Sequence, residues 1–156
     1  PPSPPPRPAP TPQVGTRENP VPFGQAYVFR KGNRTYAVAV AKVIRNAWPQ
    51  VKAANSFNEP PPPGHDYILV ALYLKYIEGP KDRPMTTSNG EYRFYAGNRL
   101  WGAPWPLDNV PPKPWFIGQD IFPGAEVVGW LGGKYLPVEL MDEAVLVYDG
   151  VYFALR

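Results

Sequence analysis

From Phe23 onward the apolar positions recur every second residue rather than at the 3.6-residue spacing of a helix. Residues 25–30 read as a short strand, and Lys31-Gly32-Asn33-Arg34 has the turn chemistry of a hairpin. A strand over residues 35–45 follows, with Tyr36, Val38 and Val40 on one face and Ala37, Ala39 and Ala41 on the other. After a polar loop and the proline run 60–63, residues 66–78 form the strongest strand pattern. Ile68, Val70, Leu72, Leu74 and Tyr76 make its apolar face. The opposite face carries Tyr67, Leu69, Tyr73 and Lys75, more aromatic than a solvated face requires. Further strands are predicted over residues 91–95, 99–101, 125–131, 144–148 and 151–155. Asn89-Gly90, Gly97-Asn98, Pro123-Gly124, Gly132-Gly133 and Asp149-Gly150 mark the turns between them. Residues 137–143 are the only stretch that reads as a helical turn. Seven or eight short strands without a long amphipathic helix predict an all-β domain, an antiparallel β-sandwich or a barrel.

Composition adds an N-terminal arm to this picture. Of 24 prolines in 156 residues, ten fall within residues 1–22 and 14 are spread over the remaining 134. The chain therefore divides into a proline-rich extended arm, residues 1–22, and one globular domain, residues 23–156, long enough to bury a core. Fixed φ along the arm favours polyproline II, which serves either as a solvated spacer or as a ligand for an aromatic groove. The absence of cysteine excludes disulfides, thiol nucleophiles and thiolate metal sites. A net charge of +3 without basic clusters gives no footprint for nucleic acid. No run approaches the apolar length of a transmembrane helix. The chain starts at Pro1 rather than methionine and shows no signal peptide. It thus reads as a secreted or cell-surface protein whose leader has been removed.

Three segments carry a family resemblance: "YAVAVAKVIRNA", "PPPPGHDYILVALYLKYIEG", and "GQDIFPGAEVVGWLGGKYLP" followed by "AVLVYDGVYFALR". In their order, and in the Pro-Gly-x-Glu turn before a strand, they resemble the telokin-like, immunoglobulin-type domain of bacterial surface lipoproteins and secreted proteins. The resemblance spans residues 23–156. It implies an immunoglobulin-like sandwich, a surface or extracellular location, and binding rather than catalysis. The stretch 102–117, rich in proline and tryptophan, departs from that family's pattern.

Catalytic chemistry finds little support. His65 is the only histidine, beside a Pro/Gly turn and without a nucleophile elbow. Glu139, Asp142 and Glu143 cluster around a turn, where acids usually make a solvated face; a glycosidase pair would need two of them to converge in space. No cofactor is indicated. The informative constellation is aromatic. Tyr92, Phe94, Tyr95, Trp101, Trp105, Trp115 and Phe116 interleave with Pro104, Pro106, Pro111, Pro112 and Pro114. Such a loop either packs its own rings over the domain or forms a recognition surface.

Aromatic grooves bind polyproline II segments because those segments are extended before they dock. The expectation is therefore a non-enzymatic, self-assembling module, a homo-oligomer or filament. Its arm, with Pro1, Pro2, Pro4, Pro5, Pro6, Pro8, Pro10 and Pro12, would dock on an aromatic surface of a neighbouring copy. Tyr67, Tyr73, Tyr95, Trp101, Trp105 and Trp115 are the expected surface. The alternative is an accessory domain that binds carbohydrate or another surface protein through exposed Trp and Tyr. Asn33-Arg34-Thr35 is a glycosylation sequon in a predicted hairpin turn.

Overall fold

The computed structural model describes residues 2–6, 13–88, 90–102 and 109–156. Alternating side chains build two antiparallel sheets around one core. In the first sheet, β1 (Tyr27–Lys31) and β2 (Arg34–Ile44) form a hairpin that closes at Lys31↔Arg34, so Gly32 and Asn33 alone make the turn. The sequon asparagine is exposed at its tip. β2 pairs along β3 (His65–Glu78) from Thr35↔Glu78 to Ile44↔Leu69, with a bulge between Val40 and Lys42. Between β3 and the next member of this sheet lie β4 (Met85–Thr86), β5 (Tyr92–Ala96), β6 (Arg99–Trp101) and β7 (Asp120–Ile121). β8 (Glu126–Trp130) flanks the C-terminal half of β3, and β9 (Lys134–Pro137) flanks its start.

The second sheet has the order β11-β10-β5-β6, with β10 spanning Val145–Tyr148 and β11 Val151–Phe153. Asp149 and Gly150 link β10 to β11 as a two-residue turn, both with positive φ, 46° and 79°. That is the backbone an Asp-Gly pair favours. β4 and β7 pair separately.

The inward faces of the two sheets meet in one cluster. Val38 and Val40 from β2, and Ile68, Leu72 and Leu74 from β3, pack with Phe94, Leu146 and Phe153 of the second sheet. Each is buried, and each such side chain contributes roughly 2 kcal/mol of transfer free energy. The alternation read for β2 and β3 puts Val38, Val40, Ile68, Leu72 and Leu74 on one face of each strand, and that face is the inward one.

Three features depart from the expectation. First, residues 48–54 are helical rather than loop. α1 (Trp48–Ala54) begins with Pro49 in its first turn, a position where the missing N–H costs nothing. The Asp66 carboxylate accepts from the Trp48 amide at 3.1 Å and holds the helix to β3. Residues 137–143 do supply the expected turn, as a 3-10 helix over Val138–Glu143. Second, β4, β7 and β9 are additional strands, two to four residues long, too short to show a period.

Third, the body begins before Phe23. Val21 is 1% exposed and lies in a parallel bridge with Phe153. The Val21 amide donates to Tyr152 O, Ala154 N to Val21 O, and Tyr152 N to Gly15 O. Residues 13–22 therefore belong to the domain and cover the β11 edge, whose backbone groups would otherwise stand open to pairing. Of the arm prolines, Pro2, Pro4, Pro5 and Pro6 are exposed; Pro1, Pro8, Pro10 and Pro12 lie outside the described residues.

Candidate functional site

The outer face of the five-stranded sheet carries apolar side chains from Tyr67 to Tyr73 before it ends in the Lys75–Glu126 pair, and α1 covers only the first part of it. Tyr67, Leu69, Ala47 and Val51 form a second buried cluster beneath α1, joined by Trp48 and Trp130. Beyond that cluster the same strand presents Ala71 and Tyr73, opposite Trp130 and Val128 of β8. Here no helix among the described residues lies over the sheet. Ala41, Lys42, Ala71, Pro114, Val128 and Trp130 line a groove of about 310 Å³. Val128 is 51% exposed, the largest exposure of any apolar side chain in the sheet.

One wall of this groove comes from the proline-rich stretch. Residues 114–116 pair with the free edge of β8: Trp130 N donates to Pro114 O at 2.9 Å, and Phe116 N to Trp130 O at 3.1 Å. Only glycine permits the approach. A Cβ on Gly129 would stand 2.4 Å from Phe116 N and 2.5 Å from the Trp115 carbonyl carbon. Phe116 then points into the core while Trp115 stays at the surface, 39% exposed. The Trp115 indole donates to Pro111 O at 2.9 Å, and the Lys113 ammonium lies 5.8 Å from its ring centroid. Charges sit around the groove: Lys42 lines it, and Lys75 pairs with Glu126 at 3.8 Å. Desolvation, together with that glutamate, raises the Tyr73 phenol above its ordinary value.

A second aromatic row runs across the start of β3. The Arg99 guanidinium stacks 4.2 Å from the Trp101 centroid. Trp101 meets His65 edge-on at 6.3 Å, His65 meets Tyr135 at 5.8 Å, and Tyr135 meets Tyr67 at 6.0 Å. Tyr135 is 38% exposed.

The expected docking residues therefore separate. Neither Tyr73 nor Trp115 lines the open groove: Tyr73 lies opposite Val128 in the register and Trp115 follows Pro114 in the chain. Trp101 belongs to the row at His65. Tyr95 lies on the other sheet, against Tyr152, with Arg17 of the N-terminal segment 5.8 Å from its ring. Trp105 lies outside the described residues. Tyr67 is not on the surface, because α1 buries it to 3% exposure and its hydroxyl donates to Glu59 O. Trp130 and Val128 complete the groove and were not singled out from the sequence. The signal for them is Gly129, a glycine inside a strand pattern, which marks close backbone approach.

The residues considered for hydrolysis have structural partners. His65 Nδ1 lies 2.9 Å from Pro63 O, Asp142 pairs with Arg156 at 3.1 Å, and Glu143 accepts from Gly97 N at 2.6 Å. Among the described residues no three His, Asp or Glu side chains gather as a metal site, and no helix is long and apolar enough to cross a membrane. In comparison with protein-family models, characterised proteins and solved structures, the chain matches none.

Proposed function

We propose that this chain is a non-enzymatic, secreted or cell-surface structural module. Its two-sheet body is an immunoglobulin-like sandwich of the telokin-like type, and copies join through the proline-rich arm. The observation that carries the reading is the open groove lined by Pro114, Val128 and Trp130 in a chain whose sequence also bears a proline-rich segment. Rings and pyrrolidines present flat apolar surfaces, and a polyproline II strand loses little entropy when it docks on them. Twelve residues in that conformation reach about 37 Å, enough to leave the parent body for the next one. An arm on one copy and a groove on the next make a heterologous contact. Such contacts propagate into a filament unless they close into a ring.

The test removes residues 1–12 and keeps residues 13–22, whose bonds to β11 belong to the fold. Light scattering and electron microscopy should show assembly by the full chain and monomers for the truncation. Assembly unchanged by the truncation overturns the reading.

The row Arg99–Trp101–His65–Tyr135 favours one second reading, an accessory domain that stacks sugar rings. Soluble glycans that quench tryptophan fluorescence in the full chain, and not in Trp101→Ala, would support it. No quenching with any glycan tried would remove it.

A further inference from the structure

A recess of about 220 Å³ opens beside the β1–β2 turn, away from the outer face. Lys31, Arg34 and Tyr36 line one side; Ser88, Tyr148 and Asp149 line the other. Its chemistry is unbalanced. Asp149 is the only carboxylate in the lining, and both its oxygens are taken: Oδ2 accepts from Lys31 Nζ at 2.7 Å and Oδ1 from Glu91 N at 2.9 Å. Arg34 has no anionic partner among the described residues. Its Nη2 donates to Pro84 O at 3.3 Å, and its Nε is enclosed without an acceptor. A guanidinium carries five N–H donors, so most of its capacity is unspent.

Tyr36 adds one more donor to the lining, whereas Tyr148 has committed its single O–H. Tyr148 donates to Ser88 O at a long 3.3 Å, and burial raises both the Tyr36 and Tyr148 phenols, keeping them protonated. Thr87, deeper in the wall, is saturated: its hydroxyl donates to Phe116 O at 2.6 Å and accepts from Gln119 N at 2.9 Å. Two cations, one spent carboxylate and two phenols leave about one positive charge facing a half-enclosed space. Charge-assisted hydrogen bonds to an anion are the strongest interactions such a lining can make.

We propose that this recess binds a small oxyanion, the carboxylate, sulfate or phosphate group of a ligand, between Arg34, Lys31 and the Tyr36 phenol. The binding is independent of arm docking, since no lining residue belongs to the outer-face groove.

The test is a titration of the ¹⁵N-labelled full chain with sodium acetate, sulfate or inorganic phosphate, each against sodium chloride at equal ionic strength. Saturable shifts at Lys31, Arg34 and Ser88 are expected with at least one oxyanion, and the anion that saturates first identifies the group. Arg34→Gln should weaken that binding at least tenfold. Lys31→Gln should weaken it several-fold, and it leaves Asp149 its backbone partner; this variant decides the matter if Arg34→Gln does not fold. Equal shifts with chloride, equal shifts at exposed Arg83 and Arg99, or affinity unchanged in the folded variants would overturn the proposal.

Discussion

Two stretches of one strand face, Tyr67–Leu69 and Ala71–Tyr73, have the same alternation and different cover, although Ala71 is as buried as Tyr67, 3% exposed each. Leu69 is fully buried and Tyr67 nearly so, because Ala47, Trp48 and Val51 lie over them. Two residues further on, Ala71 lines a groove, Tyr73 is half-buried, and its cross-strand neighbour Val128, in the groove wall, is half open to solvent. The difference is a helix of seven residues. Nothing in the strand itself marks where the cover stops. The apolar character of the open half is therefore not accounted for by packing among the described residues, and the proposed arm docking rests on that half.

Substitutions on the two halves should separate by size of effect. Leu69→Ala, under the helix, is expected to cost about 3 kcal/mol in thermal or denaturant unfolding, the range for a fully buried leucine. If Val128→Ala cost as much, the two halves would not differ and the comparison would fail. Gly129→Ala comes next, at about 2 kcal/mol, because the new Cβ pushes residues 114–116 off the β8 edge. Its fluorescence should report a more solvated Trp115.

Asp66→Ala, which frees the Trp48 and Tyr67 amides the carboxylate now accepts, should cost about 1 kcal/mol. Faster hydrogen exchange confined to residues 47–54 and 67 would identify the cover as a separate unit; uniform acceleration would count against that. Val128→Asp should change stability by less than about 0.5 kcal/mol. Arm-dependent assembly should nevertheless disappear in that variant, as read by light scattering.

The long strands were legible because β2 and β3 repeat the two-residue period often enough to fix both position and face. β6 and the Asp149-Gly150 and Gly32-Asn33 turns were legible for a different reason, since few backbones suit those residues. What escaped depends on distant partners. α1 spans too few residues to display a helical period, and its first amide is held by Asp66, on another element. Tyr67 therefore read as surface. The aromatic wealth of the 92–116 stretch was plain, but its sorting was not. Phe116 goes inward and Trp115 outward because Gly129, outside that stretch, lets the backbone settle against β8. Val21 escaped because a proline-rich composition masked one valine that inserts beside Phe153.

That last contact has a mechanical consequence. Val21 and Phe153 form a single parallel bridge, so the chain enters it at one end and the C-terminal strand leaves it at the other. A pull between those two ends slides the segments past each other. The two bonds of Val21, with Tyr152 and Ala154, then bear load together. In an antiparallel pair gripped at the same end they would open one after another, like a zip. Tension passed along a chain of such modules would meet this joint in shear, the orientation in which a few hydrogen bonds resist the greatest force.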